Sequence, residues 1–110
     1  MNIENIQAQM RKGILEYCVL SIIARGEMYP SDILKTLKIA KLIVVEGTLY
    51  PLLNRVKDEG LLTYQWVESK SGPPRKYYQL TSEGKKLLHE LKKTWGELAA
   101  AVNHISNNHE

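Results

Sequence analysis

The chain has 110 residues, 44% hydrophobic and 25% charged, with a formal net charge of +3. That is room for one domain with its own core, and it excludes a disordered chain, while no apolar run approaches the roughly 18 residues of a membrane span. A start without signal-peptide layout and a single cysteine, Cys18, which leaves no internal disulfide framework, point to the cytoplasm.

A first helix is expected from about Ile3 to Arg25, with Gly26 as its stop. Ile6, Met10, Ile14 and Tyr17 recur on one face, and Leu15, Cys18, Val19, Ile22 and Ile23 on another. The later half of this helix is therefore enclosed on most sides. Glu16 lies among apolar neighbours and is open to three readings: exposed, ion-paired or facing a ligand. Pro30 suits the first turn of a second helix whose buried stripe is Ile33, Leu34 and Leu37. Ile39 to Val45 lacks a helical pattern and reads as a connector containing a turn.

The third helix has a clear inner face, Leu49, Leu52, Leu53 and Val56, at i, i+3, i+4, i+7. Pro51 is tolerated only in the first turn, so the helix must start near Glu46 to Thr48, and Gly60 ends it. Its opposite face carries Thr48, Tyr50, Pro51, Asn54 and Arg55. Leu61 to Ser69 and Arg75 to Leu80 are rich in strand formers, with Ser-Gly-Pro-Pro between them, which predicts a hairpin with a loop of moderate length. Segment 70–80 holds the whole charge excess, +3, in Lys70, Arg75 and Lys76. A local basic tip of this kind points to a polyanion more than bulk charge does.

Thr81 is a natural N-cap for the last helix, with Gly84 where a capping box would place a glutamate. Along that helix Leu88, Leu91, Trp95, Leu98, Val102 and Ile105 are spaced by 3, 4, 3, 4 and 3 residues. This is an a/d seam, which packs against a second helix, either a partner chain's or the chain's own first helix. The polar end, Ser106 to Glu110, is expected to fray.

Three helices followed by a two-stranded hairpin is the order of a winged helix-turn-helix. The expected fold is mainly α with a small β-hairpin: a winged domain over 1–80, then a C-terminal dimerisation helix over 81–110. In that geometry the polar face of the third helix enters the major groove and the basic tip lies along the backbone. Thr48, Tyr50 and Asn54 can bond base edges or phosphates, and Arg55 a phosphate or guanine. Lys70, Arg75 and Lys76 would neutralise phosphates at the wing. The expected partners are double-stranded DNA with an inverted repeat and a second copy of the chain, joined through the seam and through Ile3, Ile6 and Met10 of the first helix.

The stretches Gly47-Thr48-Leu49-Tyr50-Pro51-Leu52-Leu53-Asn54-Arg55-Val56 with Glu59-Gly60-Leu61, and Gly72-Pro73-Pro74-Arg75-Lys76-Tyr77-Tyr78-Gln79-Leu80-Thr81 with Gly84, resemble the PadR family of transcriptional regulators over nearly the whole chain. The single C-terminal helix is similar to that of the small, LmrR-like members. The resemblance implies a homodimeric DNA-binding repressor released by a small aromatic, phenolic or drug-like ligand. It adds Pro51, Gly72 and Tyr77 to the expected DNA-contact set. It also implies an aromatic slot at Trp95 and its symmetry mate, with Met10 and Tyr17 closing the sides and Gly96 and Ala99 leaving space. The plainer alternative is that the indoles fill the interface themselves.

No cofactor or metal is expected: His89, His104 and His109 do not share a helical ligand face, and Cys18 reads as a small apolar residue. No nucleophile–base or carboxylate pair stands at useful spacing, so an enzyme is not expected. The rival reading is a winged-helix protein-interaction module without ligand response, which would have no need of three cations on the wing.

Overall fold

The fold, seen in a computed structural model that describes residues 1–107, places the elements in the order α1 (Ile3–Ile23), α2 (Pro30–Ile39), α3 (Glu46–Asp58), β1 (Leu62–Ser69), β2 (Gly72–Leu80) and α4 (Ser82–Asn107). This is the mainly helical winged-helix arrangement expected. Local chemistry sets most of the ends. Asn2 caps α1 by accepting the Asn5 N–H at 3.1 Å. Pro30 opens α2, whose start is closed by the Tyr29 N–H donating to Asp32 Oδ2 at 3.1 Å. The connector turns at Lys41, which takes a left-handed φ of 65° while the Leu42 N–H reaches back to the Leu37 carbonyl at 2.8 Å. That is a Schellman closure, built here without glycine. At the end of α3 the same device uses Gly60, at φ 81°.

The core draws on every layer. Val19, Leu20 and Ile23 of α1 meet Ile33 and Leu37 of α2, Leu49, Leu53 and Val56 of α3, and Leu62 and Tyr78 of the hairpin. Burial of such a side chain stabilises by roughly 1.5–3 kcal/mol, so the three apolar positions of α3 alone fix which of its faces looks outward. Leu52, expected on the inner face, is only half-buried.

The hairpin differs from expectation at its tip. Gly72, Pro73 and Pro74 belong to β2, and the turn is Lys70-Ser71 alone. Val67 pairs with Arg75 but Ser69 pairs with Gly72, so the ladder is irregular beside the prolines. A two-stranded ribbon has two edges, and a bulge releases the proline nitrogens from the ladder. Met28 adds a short bridge to Tyr78, with reciprocal backbone bonds of 3.0 and 2.8 Å.

The last helix is docked at one corner. The Thr81 N–H donates to the Leu61 carbonyl at 3.1 Å, its hydroxyl to the Gly60 carbonyl at 2.7 Å, and the Gly84 N–H to Thr81 Oγ1 at 3.0 Å. Thr81 thus caps α4 as expected. The seam splits: Leu88 and Leu91 pack against the chain's own core, while Trp95, Leu98, Val102 and Ile105 are exposed. Ile3, Ile6 and Met10 of α1 are exposed too. Ser106 and Asn107 continue α4 instead of fraying, because the helix runs unbroken through its apolar seam; the rest of the expected tail, with His109, lies outside the described residues.

Candidate nucleic-acid interface

Because Leu49, Leu53 and Val56 turn inward, Thr48, Tyr50, Pro51, Asn54 and Arg55 all lie exposed on the outer side of α3. Two of them meet the wing. A groove of about 400 Å³ opens between α3, the hairpin and the start of α2, walled by Tyr50, Asn54, Trp66, Arg75, Lys76 and Ser31. Hydrogen-bonding groups from α3 and two cations from the hairpin therefore share one concave surface.

Arg75 is held in place. Its Nη2 donates to Ser31 Oγ at 2.8 Å, and the guanidinium lies 3.9 Å from the centroid of the Tyr29 ring. Tyr77 stacks on Tyr29, with centroids 4.0 Å apart and planes 21° from parallel. Desolvation first, then the neighbouring Tyr29, pushes the Tyr77 hydroxyl above its ordinary pKa, so it remains a neutral donor. Lys76 stands 4.5 Å from the Tyr64 ring and 5.3 Å from Trp66, its partner across the ladder. Each such contact contributes about 0.5–1 kcal/mol at an exposed site. Their larger effect is to order long cationic side chains that would otherwise sample many rotamers.

Arg55 is exposed but ion-paired within the chain. Its Nη2 pairs with Glu16 Oε1 at 2.7 Å and its Nη1 with Glu59 Oε1 at 3.4 Å. The bond to Glu16 is the main reason its pKa is raised, so the side chain is always cationic, but two carboxylates face it. Of the three readings of Glu16, the ion pair is the one observed. Thr48 also stands apart from the groove; it borders a cavity of about 520 Å³ between α1 and residues 42–45 that also includes Arg11, Lys12 and Cys18. Burial pushes the Cys18 thiol up and keeps it neutral. Lys70 and Gly72 are exposed at the far end of the hairpin.

The expected ligand residues line neither of these cavities. Met10 and Trp95 are exposed and Tyr17 and Ala99 half-buried. Among the described residues no cluster of His, Cys, Asp and Glu is arranged to hold a metal, and no helix is long and apolar enough to cross a membrane. Sequence reasoning missed Tyr29, Ser31 and Trp66. Trp66 was absorbed into the strand pattern, and the proximity of Tyr29 and Ser31 to Arg75 spans more than 40 residues.

The profile of the transcriptional regulator PadR-like family matches residues 19–90. A PadR-like transcription factor from Bacteroides fragilis is 57% identical, with 92% of this chain and 98% of that one covered and a TM-score of 0.77. A PadR family transcriptional regulator from Eggerthella lenta superposes with a TM-score of 0.86 at 32% identity, over 96% of this chain and 93% of that one. Bacillus subtilis PadR, solved in complex with operator DNA, superposes with a TM-score of 0.66 at 28% identity, over 71% of this chain and 46% of that one. This chain thus spans about half the length of that relative.

Proposed function

The chain belongs to the PadR-like family of transcriptional regulators, a family of regulators and not of enzymes, and from that premise we propose that it is a sequence-specific DNA-binding repressor working in the cytoplasm as a homodimer. The observation that carries this reading is the groove where Tyr50 and Asn54 of α3 meet Arg75 and Lys76 of the wing. Polar groups on a helix read base edges, and cations beside them take the phosphates that set register. A protein-interaction module has no use for that pairing. The Bacillus subtilis relative, a negative transcriptional regulator 30% identical over 84 residues, supports both the operator and the sign of regulation.

In this proposal residues 1–80 read DNA and 81–110 dimerise. Ile3, Ile6 and Met10 of α1 and Trp95, Leu98, Val102 and Ile105 of α4 are large apolar side chains that a single chain leaves in water. Two-fold symmetry then presents two α3 helices to successive major grooves of an inverted repeat, about 34 Å apart. The effector is a planar aromatic or phenolic compound seated between the paired Trp95 side chains, in the manner of the LmrR-like members.

The test is fluorescence anisotropy with the duplex upstream of the protein's own gene, over a salt series. Arg75→Ala is expected to weaken binding to all sequences and to reduce the salt slope by about one. Asn54→Ala is expected to relax preference at one base pair. Phenolic acids or planar aromatic cations should release the DNA, and Trp95→Leu should abolish that release. Unchanged affinity in both DNA-face variants would refute the placement; a release indifferent to Trp95 would refute the effector site.

A further inference from the structure

We propose that Tyr29 is a positioning residue for DNA binding, holding the wing arginine in its docking pose through the contact between its ring and Arg75. The inference rests on the reading of Arg75 as a DNA contact. Tyr29 lies just before α2 and its backbone is doubly fixed. Its N–H donates to Asp32 Oδ2 at 3.1 Å, and its carbonyl accepts the Asp32 and Ile33 N–H groups at 3.0 and 3.2 Å. Its neighbour Met28 is paired with Tyr78 in the hairpin.

From this anchored base the ring meets two side chains of β2 that alternate along the strand, Arg75 at 3.9 Å and Tyr77 at 4.0 Å. Ser31, two residues further on, takes one N–H of the Arg75 guanidinium at 2.8 Å. A guanidinium has five such donors, so this bond leaves others for a phosphate. An arginine on a two-stranded tip would otherwise lose its rotamer freedom at the moment of binding. Here that ordering is completed within the free protein. The same contacts tie β2 to the start of α2, and so set the wing against the helix pair that carries α3.

The experiment uses the full chain and the duplex of the preceding section, with Tyr29→Phe, Tyr29→Leu, Arg75→Ala and the Tyr29→Leu/Arg75→Ala pair. Tyr29→Phe keeps the ring and should bind like the parent. Tyr29→Leu should lose about two- to fivefold in affinity, the scale of one exposed cation–π contact. Its salt slope should stay unchanged, because the phosphate contact is still made, whereas Arg75→Ala lowers the slope. In the Arg75→Ala background Tyr29→Leu should make no further difference. Parent-like binding by Tyr29→Leu, or an equal loss in both backgrounds, overturns the inference while leaving the DNA reading intact. Parent-like binding by Arg75→Ala overturns the reading of Arg75 as a DNA contact, and this inference with it. Should Tyr29→Leu melt below the assay temperature, Tyr29→Met, which also removes the ring, takes its place with the same expected pattern.

Discussion

Replacing Gly84 with alanine sets two requirements of α4 against each other. Helix propensity favours alanine over glycine by roughly 0.8–1 kcal/mol in a helix interior. Against this, a Cβ at Gly84 would overlap the Leu61 carbonyl oxygen and lie 3.1 Å from its carbon and 3.4 Å from Leu80 Cδ2. The carbonyl cannot swing aside freely, since it accepts the Thr81 N–H, and the Gly60 carbonyl beside it accepts the Thr81 hydroxyl. Relief requires α4 to lift away, weakening two or three hydrogen bonds of about 1 kcal/mol each. The net effect is a loss of about 1–2 kcal/mol. With an unfolding entropy near 2.1 cal/mol/K per residue, each kcal/mol moves the Tm of a chain this size by roughly 4 °C, so Gly84→Ala should melt about 4–8 °C lower. Gly47→Ala, where nothing lies within 4 Å, is the control and should melt slightly higher. Thermal circular dichroism at one fixed protein concentration measures both. A Gly84→Ala protein that melts at or above the parent would refute the close approach of α4 to Leu61.

Leu98→Asp with Val102→Asp alters only exposed seam positions, sparing Leu91, which packs on the core; light scattering should give the mass of one chain, and a persisting dimer would sink the proposed interface. Glu16→Gln removes one carboxylate facing Arg55. Because the pair is partly exposed, stability should change by less than about 1 kcal/mol, while affinity for a scrambled duplex should rise; unchanged binding there would show that Arg55 does not feel DNA.

What was legible in the sequence was whatever short-range chemistry decides. The inner face of α3 follows from three spaced apolar residues and its end from Gly60, whereas Pro51, expected in the first turn, lies at the sixth position inside the helix that starts at Glu46, its lost N–H bond tolerated on the exposed face. The cap of α4 follows from Thr81. Where the reading failed, a long-range partner overrode a local signal. Gly-Pro-Pro has the composition of a loop, yet a bulge at the two prolines, which together oppose Glu68 alone, lets it run on as β2. Arg55 sits on the outward side by helical spacing, but Glu16 of α1, 39 residues away in sequence, claims its guanidinium. The Arg75–Ser31 bond joins positions 44 apart. The seam's register was readable, but not the ownership of its positions: α4 docks at Thr81, which gives Leu88 and Leu91 to the chain's own core.

That docking corner also bears on how the two halves communicate. Gly60 and Leu61, whose carbonyls hold Thr81, are the residues that close α3 and lead into β1. A tilt of α4 about this corner would therefore be felt directly by α3 and by the wing, with no intervening loop to absorb it. In the other direction the start of α2 is tied to the wing through Ser31 and Arg75. The wing is thus tied to α4 at one end and to the start of α2 further along the hairpin. In the dimer proposed above, joined by the outer part of α4, a tilt of α4 would change the separation of the two α3 helices, the quantity that an operator with fixed half-site spacing measures. An effector in the seam alters DNA affinity only so far as it binds one separation better than another. If the proposed effector binds there, a corner this tightly bonded makes that preference transmissible, so loosening it at Gly84 is expected to weaken release of DNA by the proposed effector as well as fold stability.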